Sequence, residues 1–318
     1  MPTQSGSYAT PRLDLGAAFQ EFDLTANNFI AALALPQIRV PRKEAKFVKL
    51  RREGVLARAD LKRAARSAYN RDEYSVEDDS YACEEYGHEQ PLDDSERAFY
   101  ANDFDAEFYA SQVAARRLLT DYEVRAATAI FNTSTWTGSS LTTAVGTEWS
   151  TASADAKSDI LAAKEKVRRL TGVDPDTMII SKVVYNNLLK NDDLNEAVKY
   201  IQLGTVSNVA KAMADFFGLR QVLIGAGVYN SAKEGQDATI TDIWDDEYAM
   251  ICKLPEGDAI TAPGIGRTFL WRDDSPNDLN VEEYREEQTR STIYRVRHTV
   301  DEKIIDAAFG HLLSNITA

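Results

Sequence analysis

Residues 102–132 read NDFDAEFYASQVAARRLLTDYEVRAATAIFN, inside a stretch with no glycine or proline between Pro91 and Gly138. Phe104, Phe108, Ala115, Leu118, Leu119, Tyr122, Ala126, Ala129 and Ile130 follow one another at spacings of 4, 7, 3, 1, 3, 4, 3 and 1. That is a single apolar stripe along one long helix. Asp103, Asp105 and Glu107 crowd its first turn, where negative charge suits the helix dipole. At about 1.5 Å per residue the helix is on the order of 40–45 Å long, well beyond the usual globular helix. It predicts a spine with smaller elements arranged along it.

The segment before the spine is of another kind. Lys46-Phe-Val-Lys-Leu50 alternates weakly, as a strand does, and Tyr74 to Gln90 alternates again through Val76, Tyr81, Cys83 and Tyr86. Between them, Asp60 to Tyr69 reads as a short helix or an irregular tip. Residues 42–91 therefore predict a hairpin-like flap with too few apolar residues for a core of its own. An isolated two-stranded ribbon is marginal in water, so the expectation is that another subunit holds it. From Arg39 to Arg66 eleven basic residues stand against three acidic ones, and from Arg71 to Glu107 two stand against fourteen. Two solvated faces would account for this; so would a basic and an acidic strand that seek each other, within one subunit or between neighbours. Residues 1–28 read as an extended arm, and the apolar run from Asn28 to Val40 docks.

Downstream, the Thr/Ser/Gly-rich residues 133–153 predict a loop. A helix follows from Asp155 to Leu170, stopped by Thr171-Gly172 and Pro175. Thr177–Ile180, Gln221–Ile224, Tyr248–Lys253, Gly266–Arg272, Asn280–Glu287 and Thr292–Thr299 read as strands, and Lys182–Lys190 and Ser207–Phe217 as helices. The apolar tail from Lys303 to Ile316 is packed. The class is α+β.

Composition narrows the function. The 318 residues carry 36 basic and 50 acidic side chains, a formal net charge of −14, which argues against a protein that coats nucleic acid. No apolar run reaches membrane-spanning length, and Met1 to Pro11 does not read as a secretory signal. Cys83 and Cys252 could form one bridge, but they read rather as two buried or idle thiols of a reducing cytoplasm; the acids around Cys83 would raise its pKa and blunt it. Gly225-Ala-Gly227 and Gly264-Ile-Gly266 lack the third glycine of a dinucleotide loop, and no P-loop occurs. The histidines His88, His298 and His311 are scattered, with none in metal-ligand spacing. Asp192-Asp193 and Asp245-Asp246-Glu247 would suit a hard cation, although such clusters are more often solvated. No nucleophile elbow is present, and His298 reads as a sheet or surface histidine. No cofactor, metal or catalytic residue is expected, and the chain reads as a structural protein rather than an enzyme.

Four stretches in this order resemble the major capsid proteins of tailed bacteriophages, which share the HK97-like fold. They are Asn27-Asn-Phe-Ile-Ala-Ala-Leu-Ala-Leu-Pro36; Pro91-Leu-Asp-Asp-Ser-Glu-Arg97 with the spine and Ala129-Ile-Phe-Asn132; Arg220-Gln-Val-Leu-Ile-Gly-Ala-Gly-Val-Tyr-Asn230 through Gly235, Asp242-Ile-Trp244 and Tyr248-Ala249; and Tyr294-Arg-Val-Arg-His-Thr-Val-Asp301 with the tail to Ile316. The resemblance runs from about Asn28 to the C-terminus. It implies an N-terminal arm (1–41), an extended loop reaching over a neighbour (42–91), a peripheral domain with the spine helix (92–175), an axial domain around five-fold and six-fold axes (176–306) and a final strand returning to the peripheral domain (307–318).

It also implies self-assembly as pentamers and hexamers into an icosahedral shell of a virion, built in the host cytoplasm, which encloses double-stranded DNA without reading its sequence. Scaffold, portal or decoration proteins would be further partners. Residues expected at the contacts between subunits are Lys46, Lys49, Arg51, Arg52, Arg58, Lys62, Arg63 and Arg66 of the loop, with Glu84 and Glu85. Some relatives of this kind cross-link a loop lysine to an asparagine next door; Lys46, Lys49 and Lys62 lie in the loop, but no matching asparagine or promoting carboxylate stands out, so no such reaction is assigned. Two other readings remain: an encapsulin-like compartment around a protein cargo, and an ordinary cytoplasmic α+β enzyme or binding domain.

Overall fold

A 25-residue helix from Ala106 to Ile130 organises the chain. Asp105 precedes it, and its carboxylate accepts from the Glu107 and Phe108 N–H groups at 3.1 Å, satisfying two donors that have no partner inside the helix. At 1.5 Å per residue the helix is roughly 37 Å long. Ala106, Ala110, Ala114, Leu118, Tyr122, Ala126 and Ile130 are all buried. A spacing of four residues overshoots one turn by about 40°, so the buried stripe winds around the helix. Its first half meets one sheet and its second half meets another body of the fold.

The computed structural model describes residues 10–11, 28–51, 56–58, 62–63, 66, 68–69, 71, 76–100, 105–200, 209–233, 235–274 and 279–317. In chain order the elements are β1 (Thr10–Pro11), α1 (Ala31–Ala34), β2 (Gln37–Val40), β3 (Glu44–Leu50), β4 (Val76–Ala82), β5 (Glu84–Asp93), α2 (Asp94–Tyr100) and the spine α3 (Ala106–Ile130). Then come β6 (Thr142–Ala144), α4 (Ala156–Thr171), β7 (Thr177–Ser181), α5 (Lys182–Leu188), α6 (Asp192–Tyr200), α7 (Val209–Phe217) and β8 (Gln221–Gly225). The remainder is β9 (Val228–Asn230), β10 (Ile240–Asp242), β11 (Ala249–Cys252), β12 (Gly266–Trp271), β13 (Asn280–Glu286), β14 (Ser291–Ile304), a 3-10 turn (Ala307–Phe309) and β15 (Gly310–Ser314).

The first sheet is built on the 14-residue β14. β5 pairs with it antiparallel from Glu84↔Val300 to Asp93↔Ser291, and β13 and β12 share its other edge end to end. β2 adds to β12 in parallel, and β1 adds to β13. The first half of the spine lies on this sheet. Small residues (Ala106, Ala110, Ala114, Ala115) let the helix approach Leu92, Val281, Tyr294 and Val296 closely.

The second sheet runs β6-β15-β11-β7-β8. Every residue of β7 and β11 is buried, so alternation divides them between two cores. Met178, Ile180, Ala249 and Ile251 face α4 and α7 with Trp149, Ile160 and Phe217. Ile179, Met250 and Cys252 face the other way, towards Tyr122, Ala126 and Ile130 of the spine. α4 starts where the Asp155 carboxylate accepts from Ser158 N–H at 2.9 Å and stops at Gly172, whose φ of 73° is the left-handed conformation that glycine adopts without a Cβ clash.

The sheets group the chain differently from the linear division expected above. Residues 266–304, expected in the axial part, form β12, β13 and β14 beside the spine, whereas β6 and α4 lie with the second sheet. The last strand pairs with β11 and with β6, the latter inside residues 92–175. Among the elements not anticipated are α1, β2, α2, β6, α6 and the β9–β10 hairpin. Asp192 and Asp193, considered as cation ligands, are first-turn acids of α6, behind Asn191, whose Oδ1 accepts from Leu194 N–H at 3.2 Å.

Candidate assembly surfaces

β3 and β4 form the expected flap as a separate two-stranded ribbon, with Glu44 opposite Ala82 and Leu50 opposite Val76. The expectation that another subunit holds the ribbon does not cover its root, which rests on its own chain. Ala45, Phe47 and Tyr81 point inward, and Tyr81 stacks on Phe269 of β12 with ring centroids 4.6 Å apart. Phe47 lies 5.9 Å from the same ring. Ala82 N–H donates to Asp301 at 3.0 Å, the Lys303 ammonium meets Asp79 and the Ser80 carbonyl, and Lys49 donates to the Ile305 carbonyl at 3.3 Å. Ala45, Phe47, Tyr81 and Cys83 thus close a small apolar seam over Ile38, Val40 and Phe269. Its root is fixed by its own body.

The distal part differs. Arg51, Arg58, Lys62, Arg63 and Arg66 are exposed, as is Lys46 on the outer face of β3, while Lys49 is half-buried beside Glu77 and Asp79 at 3.7 and 3.9 Å. The Arg63 guanidinium lies 4.8 Å over the exposed Tyr69 ring, and Leu56 sits against Gly172 at the end of α4. Arg52 lies outside the described residues. Glu84 and Glu85 are in β5, not on the flap: Glu84 accepts from the Tyr86 hydroxyl at 3.1 Å, and Glu85 lies 3.8 Å from Arg297 of β14. β4 of the acidic segment pairs with β3 of the basic one within the chain, with Lys49 beside Glu77 and Asp79, whereas β5 pairs with β14, outside the basic stretch.

Between β5, β14 and the C-terminal half of the spine lies a cleft of about 450 Å³, lined by Glu84, Tyr86, Arg125, Asn132, Asp301 and Glu302, among others. Arg125 anchors its floor. Its Nη2 and Nε donate to Glu302 at 2.9 and 3.2 Å, and its guanidinium lies 3.5 Å over the Tyr86 ring. The same guanidinium stands 3.3 Å from His298 Nε2. Burial first, and Arg125 second, push the His298 pKa down to about 3, so the ring is neutral at pH 7. Burial also lifts the Asp301 carboxyl above its ordinary value. The rim remains acidic. Cys83 is buried under the flap root, and burial, helped by Asp301 and Glu302, pushes its thiol up to about 12; Cys252 shifts the same way.

Sequence reasoning missed Glu123. Its carboxylate, fully buried on the spine, accepts from Ile30 N–H (2.9 Å) and Trp244 Nε1 (2.6 Å) at one oxygen and from Ala31 N–H (2.8 Å) at the other. Beside it the Arg116 guanidinium covers the Phe29 ring at 4.2 Å, and Ala226 N–H donates to the Asn28 carbonyl at 3.2 Å. The arm root is thus wedged between the spine and the second sheet. The available signal was an acid between Tyr122 and Ala126 on a buried stripe.

Among the described residues no helix is long and apolar enough to cross a membrane, and no group of three His, Cys, Asp or Glu side chains could hold a metal ion. No family model matches the chain. It is 25% identical over 305 residues to the major capsid protein of Burkholderia phage BcepMu, covering 92% of each chain. The structure is similar to a phage-related protein from Bordetella bronchiseptica RB50, with a TM-score of 0.72 at 15% identity over 97% of this chain and 98% of that one. It is also similar to a chain of the capsid of cyanophage P-SCSP1u, with a TM-score of 0.56 at 11% identity over 88% and 86%. The fold is therefore a mixed α and β fold of the HK97-like type, shared with phage capsid chains. The relative matched along almost the whole of both chains is a phage major capsid protein, and this chain is similar to it throughout.

Proposed function

We propose that copies of this chain assemble as pentamers and hexamers into an icosahedral virion shell around a double-stranded DNA genome, with the flap of each copy laid on the next. The observation that carries this reading is the flap itself: its root is fixed on Phe269, while its distal cations stand exposed. A rigid root with an exposed basic tip suits a clasp. The acidic cleft beside the spine is the complementary surface, and residues Arg51, Arg58, Lys62, Arg63 and Arg66 would meet Glu84, Glu85 and Asp301 of a neighbour. Contacts between unlike patches of identical subunits close into rings, and many modest joints add through multivalency.

The spine with the first sheet would be the peripheral part, and the second sheet with α4 and α7 the axial part. An acidic chain has no electrostatic means of gathering a genome, so DNA would be driven in by other machinery in the host cytoplasm. Scaffold, portal and decoration proteins belong to the same proposal.

The test is deletion of residues 52–74 with a short turn joining β3 to β4. A wider excision, residues 45–88, would strip half of β5 from β14 and so test folding rather than assembly. The shortened chain should fold and make no closed shells by negative-stain microscopy. Normal shells would overturn the role of the flap. A compartment for a protein cargo shares the fold, and the contents of purified particles distinguish it.

A further inference from the structure

The β9–β10 hairpin is the one described ribbon whose six strand residues are all exposed. Val228 is 45% and Ile240 63% exposed, on the same face by register, since Val228 pairs with Asp242 and Ile240 with Asn230. Two strands of three residues are marginal alone, yet this pair is well specified. The Asn230 side chain accepts from the Ala232 and Thr239 N–H groups at 3.1 and 2.8 Å, and Ser231 N–H donates to the Thr239 carbonyl at 2.9 Å. Its root is equally fixed. Ile243 N–H donates to the Gly227 carbonyl at 2.9 Å, and the next residue, Trp244, is fully buried on Glu123. A stiff ribbon that presents branched apolar side chains to water is an association site unless it is covered.

The outer face of α4 has the complementary character. Leu161 is 48% exposed there. Lys157, four residues before it, and Arg168, seven after it, share that face and are exposed. Glu165 on the same face is held by both Arg168 and Arg169 at 2.7 Å, which leaves the surface basic. The hairpin flanks Ile240 with exposed Asp237 and Asp242. The two patches sit on different parts of the second sheet, since the hairpin leaves the β8 edge while α4 packs over β11 and β15.

We propose that the β9–β10 hairpin docks on the outer face of α4 of a second copy, with Ile240 against Leu161 and Asp237 and Asp242 towards Lys157 and Arg168. Unlike patches on identical subunits make a head-to-tail contact, which closes into a ring. This contact rests on the assembly reading but is separate from the flap, so the ring and the clasp become two distinct joints.

The test uses the full chain with Ile240→Cys and Leu161→Cys, alone and combined; both positions are exposed, and the native thiols are buried. After mild oxidation of assembled particles, the double variant should give a ladder of disulfide-linked bands on a non-reducing gel that ends at five or six subunits, and each single variant should stay monomeric. Intact particles without a ladder overturn this contact and leave the assembly reading standing. A dimer from Ile240→Cys alone means that hairpins meet each other, which overturns α4 as the occupant. Failure of the unmodified chain to form particles overturns both readings.

Discussion

The indole N–H of Trp244 donates to the Glu123 carboxylate at 2.6 Å, and this one hydrogen bond ties the second sheet to the spine helix. The same carboxylate holds the N–H groups of Ile30 and Ala31. Three segments far apart in sequence therefore meet on a single buried acid. Gly225 is part of the arrangement, because a Cβ there would lie 2.2 Å from the Trp244 ring.

Replacing Glu123 with Ala should leave three buried donors unsatisfied and cost about 3–5 kcal/mol. Glu123→Gln keeps one acceptor oxygen and should cost less. Urea unfolding followed by tryptophan fluorescence checks both, and equal stability of Glu123→Ala and the parent chain would remove Glu123 from the joint.

Two buried histidines contribute to the acid sensitivity. The His298 pKa is lowered from 6.5 to about 3 and the His311 pKa to about 4, in both cases mainly by burial. The folded values lie below the unfolded one, so the unfolded chain takes up protons first as pH falls. Stability from these two groups is intact above about pH 6.5 and declines as pH falls towards their folded values, by at most about 1.4 kcal/mol per pH unit and group. Thermal unfolding between pH 7 and 4.5 should show this slope, and His298→Gln should make it shallower.

Phe269→Ala removes the ring beneath Tyr81 and Phe47. The loss should be about 3–5 kcal/mol, and the flap root should become a protease target. In the unassembled parent chain trypsin should cut first between Arg51 and Arg71, where arginines and lysines are exposed; assembled particles should resist. Equal cutting of both forms would mean that the tip stays uncovered.

The thiols should be silent. With Cys83 pushed up to about 12 and Cys252 fully buried, a disulfide-exchange reagent at pH 8 should titrate no thiol in the native protein and two in guanidinium. Rapid native reaction would show that the flap root opens.

Much of the architecture is local and so was readable from the chain. The winding stripe of the spine, the glycine that stops α4 and the alternation of β3, β13 and β14 are written in periods of 3.6 and 2. The candidate site was readable only in part. The basic run marked the flap tip, but an i-to-i+2 pattern cannot name a partner strand, so the ten-residue pairing of the acidic β5 with β14 was not visible. Lys303, Asp301 and Phe269, which fix the flap root, are some 190 to 220 residues from the segment they hold.

The order of residues alone determined that a long helix, short strands and a charge-divided flap would form, because backbone period, capping and charge act between neighbours in the chain. Tertiary structure alone decided which strands share a sheet, that the flap is rooted on its own body, and that Glu123 joins arm, spine and second sheet. Those outcomes depend on which distant groups are desolvated together, and a buried carboxylate or an apolar ring has no preferred partner until the fold brings one within reach.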